Sequence, residues 1–209
     1  MKIAVFGATG MVGQAILPKL LAQKAEVVAF GRNALEKITP IDGLSVLNGS
    51  VFQISDVKKA LQGCTGVISV LGGGIEANDI TRSLGMKRIV EGMQSAGIQT
   101  IVALGGRGVL PDAQGAYLFE GDDFPEIYIP VSREHARAYE TLRDSKLTYS
   151  FVCPPDIKNQ PATGQYLVAN DQFPEGAQNQ IAVGDLCDFM VKELMWQEHA
   201  GHRIGIGNL

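Results

Sequence analysis

With 209 residues, 45% of them hydrophobic, the chain is long enough to bury the core of one α/β domain. Its net charge of −4 and lack of any basic run argue against nucleic acid as a partner. No apolar stretch approaches ~20 residues, so no membrane span is expected, and a first strand at Lys2 leaves no room for a signal peptide, which points to the cytoplasm.

An apolar strand over residues 2–7 opens the chain and runs into Gly7-Ala-Thr-Gly-Met-Val-Gly13, followed by a helix over 11–23. Strands are expected at 26–30, 44–48 and 66–71, with a helix capped by Ser55 and running to Leu61 between the last two. Asn78-Asp79 starts a long helix to Ala96, and Gly97 stands where a left-handed cap belongs. A fifth strand over 100–104 precedes a long, weakly periodic segment. Ser132 then starts a helix ending near Ser145, and a sixth strand over 148–153 is closed by Pro154-Pro155. The last helix spans 185–197, with Leu186, Phe189, Met190 and Leu194 on one side, and a short strand spans 203–207.

Apolar strands separated by helices predict a parallel sheet covered on both faces. The expected architecture is one doubly wound Rossmann domain over 1–209, in three α/β/α layers. Ligands in such sheets gather beyond the carboxyl ends of the strands. Loops near 105–131 and 154–180 are expected on the substrate side of that rim, the first either a substrate wall or a plain surface excursion.

A strand, a glycine turn and a helix in that order are what a dinucleotide pyrophosphate needs: a tight turn, close backbone approach, and a helix N-terminus aimed at the phosphates. Gly7, Ala8, Thr9, Gly10, Met11, Val12 and Gly13 are the candidates. At the end of the second strand an NAD site usually places an acid for the ribose hydroxyls. Arg32 stands here instead, beside Asn33, which favours the 2′-phosphate of NADPH. Ser50 and Val51 are expected beside the adenine, and Leu71, Gly72 and Gly73 along the nicotinamide-side ribose. Leu104, Gly105, Gly106 and Cys153, Pro154, Pro155 complete the rim.

For catalysis, no lysine has a tyrosine four positions before it, and Tyr139 has Arg143 in the lysine's place. Tyr-Lys acid catalysis is therefore excluded. His135 either contacts the nicotinamide ribose or relays a proton, or simply packs the start of its helix. Asp156 either faces the substrate or is a solvated turn carboxylate, and Arg107, with Gly106 beside it, could hold an anionic substrate group. The three cysteines, Cys64, Cys153 and Cys187, and three histidines have no metal-ligand spacing, so no metal is expected and the thiols read as free.

These residues resemble the atypical short-chain dehydrogenases/reductases with an NmrA-like fold, and within them the biliverdin-IXβ reductase/flavin reductase family. The resemblance covers nearly the whole chain. Its most selective segments are Leu147-Thr-Tyr-Ser-Phe-Val-Cys-Pro-Pro-Asp-Ile157 and Gln160-Pro-Ala-Thr-Gly-Gln-Tyr166. It implies a cytosolic, monomeric NADPH-dependent reductase passing hydride to a flavin or linear tetrapyrrole, with the cofactor supplying the chemistry. His135 matches the family's helix histidine. The chain departs from the family at Gly106, where a serine is usual, at Asp156 in place of a histidine, and at Ser50 in place of an acid.

The expected function is hydride transfer from NADPH to a planar conjugated acceptor such as a flavin, quinone or biliverdin-like molecule. A non-catalytic redox sensor that binds NADP(H) is the alternative. Monomer and homodimer both stay open.

Overall fold

The computed structural model describes residues 1–74 and 78–209. The first half alternates strand and helix as β1 (Lys2–Phe6), α1 (Met11–Ala22), β2 (Glu26–Gly31), α2 (Ala34–Lys37), β3 (Leu44–Asn48), α3 (Ile54–Ala60), β4 (Gly66–Ser69) and α4 (Thr81–Ala96). The second half adds β5 (Thr100–Leu104), α5 (Ile129–Arg143), β6 (Thr148–Cys153), β7 (Asp156–Lys158), β8 (Tyr166–Asn170), β9 (Gln180–Ala182), α6 (Val183–Trp196) and β10 (Arg203–Asn208).

Eight strands form one sheet in the order β3-β2-β1-β4-β5-β6-β10-β8, while β7 and β9 pair separately. Neighbours from β3 through β10 run parallel, and only β8, at the edge, is antiparallel to β10. The strand order reverses between β1 and β4, which opens a crevice at their carboxyl ends. This is a Rossmann fold.

Side-chain alternation along the strands fills two cores at once. Ile3 and Val5 pack with Ile16 and Leu20 of α1 and with Leu186 and Met190 of α6. Ala4 and Phe6 pack on the other face with Val57 of α3, Ile89 and Met93 of α4, and Leu142 of α5. Because both faces are covered, the strands read as continuous apolar runs.

Several helix starts differ from the sequence expectation. The α4 helix begins at Thr81, because the Asp79 carboxylate accepts the Thr81 N–H at 2.8 Å from the preceding turn. The α3 helix has Gln53 before it and no side-chain cap, so Ser55 lies within the helix. The α5 helix begins at Ile129 with Pro130 in its first turn, where a missing N–H costs nothing. Asp185 lies inside α6 and is fully buried. Gly97 does adopt the left-handed cap, with φ +70°. The segment over 105–131 holds three short 3₁₀ turns, and strands β7, β8 and β9 fall in stretches that the sequence marks only as loop.

Candidate functional site

The three glycines of the first turn have different tasks. Gly7 has φ +84°, and a Cβ there would lie 2.4 Å from the Val70 carbonyl oxygen. A Cβ on Gly13 would lie 2.3 Å from the Gly7 oxygen. Gly10 meets only the Gly7 oxygen, at 3.5 Å, so its α-carbon borders open space. Gly7 and Gly13 thus let the turn pack, whereas Gly10 leaves room for something to approach. No side chain caps α1 and no acid occupies its first turn. Among the described residues the Met11 and Val12 N–H groups find no acceptor, leaving a free anion-binding helix end. Ala8 and Val12 point into the core and offer only backbone, while Met11 is 43% exposed.

The ends of β2 and β3 form the adjoining wall. Gly49 donates its N–H to the Gly31 oxygen at 3.1 Å, and Asn48 Oδ1 accepts the Leu35 N–H at 2.9 Å. Arg32 is exposed and makes no ion pair among the described residues. Asn33, half-buried, precedes α2. Ser50 closes its own turn, its Oγ accepting the Phe52 N–H at 3.3 Å, and Val51 is buried, so it can offer a ligand its backbone alone.

Past β4, Leu71 is buried while no described residue lies near the place a Gly72 Cβ would occupy. Gly73 and Gly74 are held from two sides. Asp79 accepts the Gly74 N–H, and Arg82 donates from Nη1 to the Gly74 oxygen at 3.1 Å and from Nη2 to the Gly73 oxygen at 3.2 Å. Burial raises the Asp79 carboxyl, but the donors from Thr81 and Gly74 outweigh it and hold it below the usual carboxylate range.

The first turn of α4 is riveted to the second turn of α5. The buried Glu134 carboxylate accepts the Ser83 Oγ–H at 2.6 Å, the Ser83 N–H at 3.2 Å and Arg137 Nη1 at 2.8 Å. This sets Arg82 in the neighbourhood of His135. The His135 ring lies over Gly106, where a Cβ would stand 3.2 Å from Cδ2 and 3.5 Å from Nε2. The ring is largely enclosed, and desolvation together with the Arg82 charge pushes its pKa down to about 3. His135 is a neutral imidazole whose nitrogens have no hydrogen-bond partner among the described residues.

The remaining candidates are placed less directly. Gly105 donates its N–H to the Val152 oxygen at 2.7 Å and is flattened against the Phe151 ring. Leu104 is half-buried, Pro154 buried and Pro155 half-buried. Cys153 is fully buried with its thiol pushed up by desolvation, so only its backbone can reach a ligand. Arg107 stacks 4.2 Å over the Phe173 ring and bonds Asn179, which commits its guanidinium to the 173–179 segment. Asp156 is exposed and paired with Lys158. Asp79, Arg82 and Glu134 escape the sequence reading, because helix-start acids and exposed-looking arginines are common and their partners lie across the fold.

An open glycine turn on a helix end, an arginine beside it with no ion pair among the described residues, and an open glycine at the end of β4 fit a dinucleotide. Such a group, when bound, supplies hydride chemistry, while the protein positions it.

Comparisons with known proteins agree with that fit. Residues 7–195 match the profile of the NAD(P)H-binding family. A Streptococcus pneumoniae protein provisionally described as an NADH-flavin reductase is 28% identical, with all of both chains covered and a TM-score of 0.85. A Bacteroides thetaiotaomicron protein provisionally described as an epimerase is 27% identical over 100% of this chain and 97% of that one, with a TM-score of 0.84. The uncharacterised protein YwnB of Bacillus subtilis is 24% identical over 99% of this chain and 98% of its own length.

Proposed function

This chain belongs to the NAD(P)H-binding family, and on that premise we propose that it is an NADPH-dependent reductase acting on a planar, conjugated acceptor. The observation that carries the reading is Arg32: exposed, without an ion pair among the described residues, and just past the end of the strand beside the open Gly10 turn. A guanidinium there pairs with a 2′-phosphate, and an acid would repel it.

The acceptor side is built for orientation more than for proton transfer. His135 is neutral over the physiological range and serves as a hydrogen-bonding wall, and the absence of a side chain at Gly106 lets its ring settle against the backbone. A flavin or quinone takes its proton from water once reduced, so the lack of a Tyr-Lys pair is no obstacle. Epimerisation through an alcohol would need a base for the hydroxyl proton, which hydride transfer to a flavin or quinone does not, and this separates the two readings. The three buried free thiols suit a reducing, cytoplasmic compartment.

Gly106 also favours a second reading, in which the domain binds NADP(H) and signals its redox state without turnover. One experiment separates the two. NADPH and NADH oxidation is followed with FMN, biliverdin and menadione, alongside binding of each dinucleotide. Turnover that prefers NADPH supports the reductase. NADPH binding with no turnover selects the sensor, and no binding refutes both.

A further inference from the structure

We propose that Arg82 is the cation that receives the negative charge left on the acceptor by hydride transfer, and that the acceptor is a conjugated carbonyl compound, a quinone or enone. The inference rests on the reductase reading above. The Arg82 guanidinium uses two of its five N–H donors on the Gly73 and Gly74 oxygens, at 3.2 and 3.1 Å. Its Nε is buried and has no acceptor among the described residues. The two carboxylates that face it are engaged elsewhere: Asp79 by the Gly74 and Thr81 N–H groups, Glu134 by Ser83 and Arg137. Among the described residues, one N–H on each terminal nitrogen therefore remains for an incoming oxygen.

Two other cations on the strand-end rim are committed. Arg107 is stacked on Phe173 and bonded to Asn179, and Lys158 is paired with Asp156. The Ser83–Glu134 rivet fixes the Arg82 backbone next to the turn that carries His135, and His135 lies on Gly106. An acceptor placed beside the His135 ring has a neutral imidazole on one side and a guanidinium on another.

The chemistry needs such a cation. A C–H bond at nicotinamide C4 breaks and a new C–H bond forms at the electron-poor carbon conjugated to the carbonyl. The C=C pair shifts toward the carbonyl carbon and the C=O π pair moves onto oxygen. The nicotinamide loses two electrons, the acceptor gains them, and the oxyanion sits beside Arg82 until water protonates it.

The test compares wild type with Arg82→Lys and Arg82→Met. Three readouts are taken: menadione reduction, NADPH affinity, and binding of 4-nitrophenol to the NADP-loaded protein, followed by phenolate absorbance. Arg82→Met should lower kcat about 100-fold, with Arg82→Lys in between, while NADPH affinity stays within about twofold. Wild type should bind the phenolate and lower the phenol's pKa, and Arg82→Met should lose both. Unchanged kcat, or a parallel loss of NADPH affinity in both variants, overturns the proposal, since Arg82 would then only latch the glycine turn. Turnover by wild type with no Arg82-dependent phenolate binding also overturns it and leaves the reductase reading intact. Arg82-dependent phenolate binding without turnover of any acceptor refutes the reductase reading and the proposal with it. Neither binding nor turnover refutes both.

Discussion

Asp185 and Thr163 are joined by two hydrogen bonds: Oδ2 accepts the threonine hydroxyl at 2.7 Å and Oδ1 accepts the threonine N–H at 2.8 Å. The same carboxylate accepts the Gly164 N–H at 2.8 Å and Asn208 Nδ2 at 2.7 Å. One of the two most selective stretches of the sequence, Gln160 to Tyr166, is thus pinned to the first turn of α6 by a fully buried acid. Its Thr-Gly pair supplies donors for that acid, so the segment's selectivity is structural at this point.

Asp185→Asn should destabilise the protein by about 2–4 kcal/mol, because an amide cannot accept from all four donors in a buried place. Burial raises the Asp185 carboxyl, but its donors more than offset this and the net pKa is lowered. An unfolded aspartate titrates near about 3.9, so the stabilisation is complete above that pH and is lost as pH falls through the lower folded value. Urea unfolding of both proteins at pH 7 and pH 3 checks this: the gap should shrink at the lower pH.

The first turn separates folding from binding. Gly7→Ala should cost more than about 2 kcal/mol, since it combines a left-handed backbone with a Cβ 2.4 Å from Val70 O. Gly10→Ala should leave the unfolding midpoint within about a degree, yet weaken dinucleotide binding roughly tenfold, because its methyl enters only the space for phosphate. Thermal unfolding and titration by nicotinamide fluorescence read the two effects independently.

Arg32→Ala should raise the NADPH dissociation constant about 10- to 100-fold and leave NADH nearly unaffected, as expected for losing a charge-assisted pair with phosphate. Equal weakening of both dinucleotides would place Arg32 away from the 2′-phosphate. The measurement is the ratio of the two affinities in each protein.

His135 should show no titration between pH 5 and 8, since burial and the Arg82 charge hold it neutral down to about 3. An unfolded histidine titrates near about 6.5, so the native state should lose stability as pH falls from there toward the folded value. Proton NMR of the histidine rings checks it, with His135→Gln assigning the signal that stays flat.

Much of this protein was legible in the chain by itself. The apolar strands, the glycine turn at residues 7–13, the arginine closing β2 and the left-handed Gly97 follow from local rules of burial, backbone geometry and charge. Those rules act over a few residues, and they were sufficient for a doubly wound dinucleotide-binding domain. Edge strand β8 was not legible, since its half-buried residues carry no clear alternation.

Tertiary structure decided everything that depends on residues brought together from afar. Only the packing of α4 against α5 brings Arg82 into the neighbourhood of His135 and rivets Ser83 to Glu134, 51 positions apart in sequence. Only the fold turns Arg107 onto Phe173 and leaves Asp156 in solvent. Spacing along a chain carries no information about such neighbours, because a charge or a hydrogen bond acts through a few ångströms of space and takes no account of the intervening residues.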